Sequence, residues 1–248
     1  MIAAYLIASY LRLADNPQDK ILPSLGRMGE AIERMAFTPD PQSGGYLWWE
    51  DTWASVRRIA LGVGLAALLG LLLGLNMGLR PRFKLLFSSF LTFLSMVPPL
   101  AVLPILFISL GVDELAKVAL IFLGVFPVIA RDILLTVEKI PREQVTKAIT
   151  LGASRFAIIY RIVMPQIMPR LLDDIRLSLG SAWLFLIAAE AIASTEGLGY
   201  RIFLVRRYLA MDVILPYVLW ITLLGFLMDG LLRLILSRRY GWYLACQV

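Results

Sequence analysis

Histidine is absent from all 248 positions, and Cys246 is the sole cysteine. The first absence removes histidine-based triads, imidazole metal sites and histidine proton relays. The second removes intramolecular disulfides and thiolate clusters, leaving Cys246 a bland terminal residue. Charge is also scarce. Only 17% of residues are Asp, Glu, Lys or Arg, against 59% hydrophobic, and mean hydropathy is +0.77. A soluble domain cannot hide that much apolar surface, so the composition is that of a polytopic membrane protein. The net charge of +6 does not point to nucleic acid, because the basic residues cluster in loops beside apolar runs, as positive-inside sorting requires. No G-x-x-x-x-G-K-[ST] stretch occurs, so the chain has no phosphate cradle of its own. No residue pair forms a credible nucleophile and base. The expectation is a transport chain without cofactor or metal, not an enzyme.

A bilayer core needs about 20 mostly apolar residues per helix. Five runs meet this: Ala54–Gly78, Leu85–Leu110, Ala116–Val137, Leu171–Ala193 and Val213–Leu236. The opening run, Ile2–Leu13, is shorter and lacks the basic start and cleavage site of a signal peptide. It is read as a sixth, tilted span, with an interfacial helix as the alternative. Between them Ser24 to about Phe37 predicts one short helix, Gly44-Gly45 breaks the chain, and Trp48, Trp49 and Trp53 suit an interfacial aromatic belt. No linker, low-complexity tract or internal repeat divides the chain. The expected architecture is one all-α domain over 1–248, with about six spans and a core at about 52–237.

Six spans with both ends cytoplasmic put three basic groups on one side. Arg80, Arg82 and Lys84 form the first, Lys139 to Arg170 the second, and Arg238-Arg239 the third. The opposing loops hold fewer, namely Lys20, Arg27, Arg34, Arg201, Arg206 and Arg207.

The segment at about 138–170 is polar and amphipathic. Pro141 suits a first helical turn, after which Val145, Ala148 and Ile149 recur at helical spacing. Gly152 can take the left-handed conformation that stops a helix, and Ser154 can cap the next. Phe156, Ile159, Tyr160 and Val163 form a second stripe, and Pro165 and Pro169 are expected to end it. Two helices hinged this way make a compact knob for another protein to grip. A loop lying on the lipid surface fits the same pattern.

Thr146-Lys147-Ala148, three residues, Gly152-Ala153-Ser154, then Ile162-Val163-Met164-Pro165 resembles the EAA loop of ABC-importer permeases. That loop reads E-A-A, three residues, G, nine residues, I-x-L-P. Thr146 stands where the pattern has Glu, and Met164 where it has Leu. Leu22-Pro23-Ser24, Val97-Pro98-Pro99-Leu100-Ala101, Pro104, Gly111, Lys117, Phe126-Pro127, Ala189-Glu190, Gly197-Leu198-Gly199-Tyr200 and Asp229 are similar to the nitrate/sulfonate/taurine branch. The resemblance spans about residues 22–239. It implies a five-helix type I importer core plus an N-terminal helix, in a bacterial inner membrane. It further implies a coupling helix seated on an ATPase subunit, two ATPases per homodimer, and a separate extracytoplasmic solute-binding protein. A sulfonate, taurine or nitrate-like anion is the implied solute, and Thr146, Lys147, Ala148, Gly152, Ala153, Ser154, Ile162 and Pro165 are the implied coupling residues. An ion-coupled carrier working without an ATPase is the rival, but it would need a coupling-ion site and usually a repeat.

Gly70, Gly74 and Gly78 line one face of a span, suiting close packing within one subunit or a dimer contact. Pro98-Pro99 must break the backbone ladder in mid-span, either as a kink or beside a water-filled route. Charges inside spans cost roughly 2.5–3.5 kcal/mol at mid-bilayer on insertion scales. Asp132 and Glu190 therefore need a reason, and inter-helix structure or gating fits carboxylates better than binding an anion. Asp229 can reach Arg233 one turn on, and Arg176, with Asp173 and Asp174 near, suits a surface anchor.

Overall fold

The computed structural model describes residues 2–15, 20–41 and 44–245, so Cys246 lies outside the described residues. Twelve α-helices and one π turn are present among them, with no strand. Helix α1 (Ile2–Asp15) is followed by α2 (Leu25–Ala36) and α3 (Leu47–Leu79). Then come α4 (Pro81–Met96), α5 (Pro99–Leu110), α6 (Glu114–Glu138), α7 (Arg142–Thr150) and α8 (Arg155–Ile158). The π turn Ile159–Val163 joins α8 to α9 (Met164–Ile192). Then follow α10 (Leu198–Arg206), α11 (Met211–Arg239) and α12 (Gly241–Ala245).

Among the described residues, four helical stretches are long and apolar enough to cross a membrane: α3, α6, α8–α9 taken as one, and α11. The bent pair α4–α5 makes a fifth. The all-α polytopic fold expected from composition therefore stands, with five of the about six expected spans accounted for among the described residues. Helix α1 has 14 residues, about 21 Å at 1.5 Å per residue, short of the roughly 30 Å hydrocarbon core. Its Tyr5 hydroxyl donates to the Pro23 carbonyl at 2.8 Å and its Ser9 hydroxyl to the Leu22 carbonyl at 3.0 Å. These bonds tie α1 to the start of α2, where Ser24 caps the helix by accepting from the Arg27 N–H.

Helices α3 and α6 run parallel in close embrace. A Cβ on Gly62 would lie 2.7 Å from Ile121, on Gly70 2.9 Å from Ile129, on Gly74 2.6 Å from the Ala130 carbonyl oxygen, and on Gly78 2.5 Å from Val137. The glycine stripe is thus an intrachain seam in which missing side chains let two backbones meet. Lipid tails are as apolar as leucine, so such packing, not removal from water, holds helices together in a membrane. Around the seam, Ile59, Ala66, Ile121, Ile129, Ile133, Ala182 and Leu186 are fully buried. Helix α9 returns antiparallel against α6 and α3, and α11 descends against α9.

The α4–α5 pair bends by 96° at Val97-Pro98. Proline disfavours helical backbone in the residue before it, and Val97 (ψ 119°) and Pro98 (ψ 117°) are both extended. Past the bend, α5 folds over the start of α6 through Leu103, Leu106, Ala116, Leu120 and Ala189. Helix α4 is sparsely covered: Leu85 is 82% exposed, and Leu91 is its only buried residue among those described. Of the three tryptophans assigned to the aromatic belt, Trp49 and Trp53 are exposed. Trp48 is buried instead, with its ring 4.5 Å from that of Tyr217.

Candidate coupling surface and buried polar clusters

At one pole, α7 and α8 meet in a turn closed by backbone bonds. The Gly152 N–H donates to the Ile149 carbonyl at 2.9 Å and the Ala153 N–H to the Ala148 carbonyl at 3.0 Å. This is a Schellman stop, and it requires the left-handed residue that Gly152 supplies at φ 81°. Ser154 then caps α8, its hydroxyl accepting from the Ala157 N–H at 3.2 Å. Pro141 precedes the first helical residue of α7 as its cap rather than entering the first turn.

The second half of the knob departs from its sequence pattern. Pro165 and Pro169 do not end the helix; both lie in the first two turns of α9. The π turn carries the chain past them, with the Met164 N–H bonding the Ile159 carbonyl, five residues back. The wider turn also splits the apolar stripe. Phe156 and Tyr160 are exposed, with rings stacked at 6.4 Å, whereas Ile158 and Val163 are buried. With Ile149 and Leu151, also exposed, Phe156 and Tyr160 give the knob an apolar outer surface. Of the coupling residues read from the motif, Thr146, Lys147, Gly152, Ser154 and Pro165 are exposed, while Ala148, Ala153 and Ile162 are half-buried.

At the opposite pole lies a buried ionic network that sequence reasoning found only in part. Arg58 of α3 is fully buried. Its Nη1 donates to Glu190 at 2.7 Å and to the Glu196 carbonyl at 2.9 Å; Nε donates to Glu114 at 2.7 Å. Lys117 also reaches Glu114, at 3.2 Å, and the Ser194 hydroxyl at 3.1 Å. The start of α10 is capped from other helices. The Gly197 N–H donates to Asp51, Leu198 to the Ser55 hydroxyl and Gly199 to Glu190, at 2.8, 2.9 and 2.8 Å. Gly197 sits at φ 122°, and a Cβ there would meet the Glu190 carboxyl at 2.5 Å. Arg201 donates to Asp51 at 2.8 Å and the Tyr217 hydroxyl to the same carboxylate at 3.2 Å. Burial opposes the Arg201 charge, but the Asp51 bond and carboxylate outweigh it and raise its pKa. Glu190 is thus an inter-helix clasp. The clue to its partner was Arg58, a second cation inside the first long apolar run.

A second cluster joins α6, α9 and α11. Asp132 bonds Arg170 Nε, which also lies 3.2 Å from Asp174. Asp229 pairs with Arg176 at 2.9 Å, not with Arg233 one turn along its own helix. Arg176 lies closer to another carboxylate as well, at 2.8 Å from Asp173. Tertiary reach wins here because α11 turns Asp229 onto α9. Pro98 lies exposed at the α4–α5 elbow and Pro99 is half-buried; past them α5 packs on Ala116 and Ala189, the chain neighbours of Lys117 and Glu190 in the buried network.

With this geometry in place, a family model, the binding-protein-dependent transport system inner membrane component, matches residues 66–240. The chain belongs to that family. It is 33% identical to the taurine transport system permease protein TauC of Escherichia coli (strain K12) over 217 residues, 86% of this chain and 78% of that protein. It is 31% identical to the bicarbonate transport system permease protein CmpB of Synechocystis sp. over 185 residues, 74% and 65% of the two chains. In fold it is similar to a chain of the MetNI methionine ABC transporter in an inward-facing conformation. The TM-score is 0.62 at 18% identity, over 79% of this chain and 99% of that one. The resemblance to the nitrate/sulfonate/taurine branch therefore holds. The protein is a multi-pass ABC-importer permease subunit.

Proposed function

We propose that the α7–α8 knob is the coupling element through which two separate ATPase subunits drive a homodimer of this chain in a bacterial inner membrane. The observation that carries this reading is the Schellman-closed turn at Gly152, which holds two short helices at one pole with Ile149, Leu151, Phe156 and Tyr160 turned outward. Large apolar side chains exposed on a tight polar turn mark a protein-binding surface. That pole also carries Arg80, Arg82, Lys84, Lys139, Arg142, Arg155, Arg161, Arg238 and Arg239, an excess of basic residues that supports a cytoplasmic location. Closing of the ATPase pair on ATP would draw two knobs together. Because α8, the π turn and α9 form one helical rod of 38 residues, the pull passes directly into a span and tilts it.

Solute arrives from a binding protein at the opposite pole. The substrate is a small oxyanion or an organic molecule bearing one, as the similarity to the taurine and bicarbonate permeases suggests. Glu190 and Asp132 act as clasps between helices, and the Pro98-Pro99 elbow shapes the route without binding solute. Thr146 in the acidic position of the motif leaves docking to shape and apolar contact.

The deciding experiment is copurification. The tagged permease should retain an ATP-hydrolysing subunit, and uptake into vesicles should require ATP. Ion-driven uptake by this chain alone would refute the reading.

A further inference from the structure

Between α4 and α6 runs a cleft whose charged groups the ionic clusters leave unused. Its upper part, about 150 Å³, is lined by Ser88, Thr92 and Lys84 of α4 and by Arg131 and Glu138 of α6. Residues 131, 134, 135 and 138 form one face of α6, and 84, 88, 91 and 92 one face of α4, as helical periodicity requires. Lys84 and Glu138 bridge the cleft at 2.6 Å. Beneath them opens a cavity of about 570 Å³ that shares Met77, Lys84 and Glu138 with the cleft and reaches Arg142, Val145 and Thr146 of the coupling helix.

Arg131 is the unusual member. It lies seven residues before the end of α6, about 10 Å up the helix, inside a stretch otherwise apolar enough to span a membrane. Its neighbour Asp132 lies about 100° round the helix and is held by Arg170, while Glu138 is taken by Lys84. Arg131 has no ion-pair or hydrogen-bond partner among the described residues. An ionisable group at membrane depth needs a partner, and when the protein supplies none the ligand is the natural candidate.

We infer that this cleft is an oxyanion-binding station on the inward leg of transport, with Arg131 as the residue that selects negative charge. This rests on the importer reading above. The guanidinium presents a planar fork matched to two oxygens of a sulfonate, nitrate or bicarbonate. Ser88 supplies a hydroxyl donor on the facing wall, whereas the Thr92 proton is already given to the Ser88 carbonyl at 2.9 Å. A volume of about 150 Å³ equals about five water molecules, enough for an oxyanion headgroup and too little for a phospholipid. The Lys84–Glu138 pair closes the floor. An anion leaving Arg131 would draw Lys84 from Glu138 and pass to Arg142 below, which has no ion-pair partner among the described residues. Because Arg142 belongs to the coupling helix, release is placed beside the element that the ATPases move.

The test uses the intact complex with its ATPase subunits in nanodiscs of phosphatidylcholine alone. Ethanesulfonate, nitrate and bicarbonate are titrated separately, with ethylammonium as the cation control, and binding is read by calorimetry. At least one oxyanion should bind and ethylammonium should not. Arg131→Gln should weaken binding by about 10- to 100-fold, the range expected for a lost charge-assisted hydrogen bond, and Arg131→Lys should recover most of it. If Arg131→Gln fails to assemble, Ser88→Ala replaces it and should change the order of preference among the three anions. Wild-type binding of no oxyanion, unchanged affinity in Arg131→Gln, or an unchanged order in Ser88→Ala would overturn the inference. So would an Arg131-dependent stabilisation seen only with phosphatidylglycerol in the discs, which would make this a lipid-headgroup site. Loss of the ATPase from the wild-type complex would instead refute the importer reading itself.

Discussion

Arg58 and Glu190 meet at 2.7 Å between α3 and α9, and neither side chain reaches solvent. They are 132 residues apart in the chain, so their pairing fixes the closure of the helix bundle at the pole away from the knob. Removing one partner would strand the other. Arg58→Ala should cost about 3–5 kcal/mol, as for other broken buried pairs. It should lower the midpoint of thermal unfolding followed by tryptophan fluorescence far more than Glu114→Ala does. Glu114 is 41% exposed, so water can take its place. Equal shifts in the two variants would contradict a buried clasp.

The α3–α6 seam makes a sharper contrast between two glycines on one helix. A Cβ at Gly74 would strike a backbone oxygen at 2.6 Å, whereas a Cβ at Gly64 meets nothing within 4 Å. Gly74→Ala should destabilise by about 1–3 kcal/mol, since the backbones must part. Gly64→Ala should be neutral or slightly stabilising, as alanine loses less freedom in a helix than glycine. Thermal melts of the two variants in detergent would check both.

At Gly152 there is room but no permitted conformation. Nothing lies within 4 Å of an added Cβ, yet φ is 81°. Gly152→Leu should insert and fold while losing ATP-coupled uptake, because a leucine backbone is strained at φ 81° and the turn must change shape to relieve it. Gly152→Asn should retain most uptake, since asparagine tolerates the left-handed region. Normal transport by the leucine variant would show that the shape of the knob is irrelevant.

Phe156 and Tyr160 stack in the open, at 77% and 68% exposure. Changing both to serine removes no internal packing, so the thermal midpoint should stay within about 0.5 kcal/mol equivalent of wild type. The yield of copurified ATPase should nevertheless fall severalfold. Retained ATPase would place docking elsewhere.

Much of this was legible in the residues. Five apolar runs foretold five spanning stretches, with ends within three residues of those observed for α6 and α11, whereas α3 begins at Leu47, seven residues before its run. The short helix at Ser24–Phe37, the stop at Gly152 and the cap at Ser154 were readable because each is local chemistry of a few residues. What escaped was set at long range. The partner of Asp229 was misread because its helical neighbour Arg233 is visible in sequence, while Arg176 on α9 comes near only on folding. Asp51, Ser55 and Lys117 belong to the buried network and sit at helix ends where a polar residue looks ordinary. Arg131 was overshadowed by Asp132, although the two point about 100° apart around α6.

The π turn at Ile159–Val163 has one further consequence, which concerns phase. The wide turn holds about one more residue than an α-helical turn for nearly the same rotation, so it absorbs that residue without turning the knob about the axis of α9. Deleting one residue within 161–163 would let an ordinary α-helix run through with Phe156 and Tyr160 facing much as before. The same deletion inside α9 has no wide turn to take it up and would swing them by about 100° relative to the rest of the span, aiming the coupling surface away from its partner while every helix remained intact.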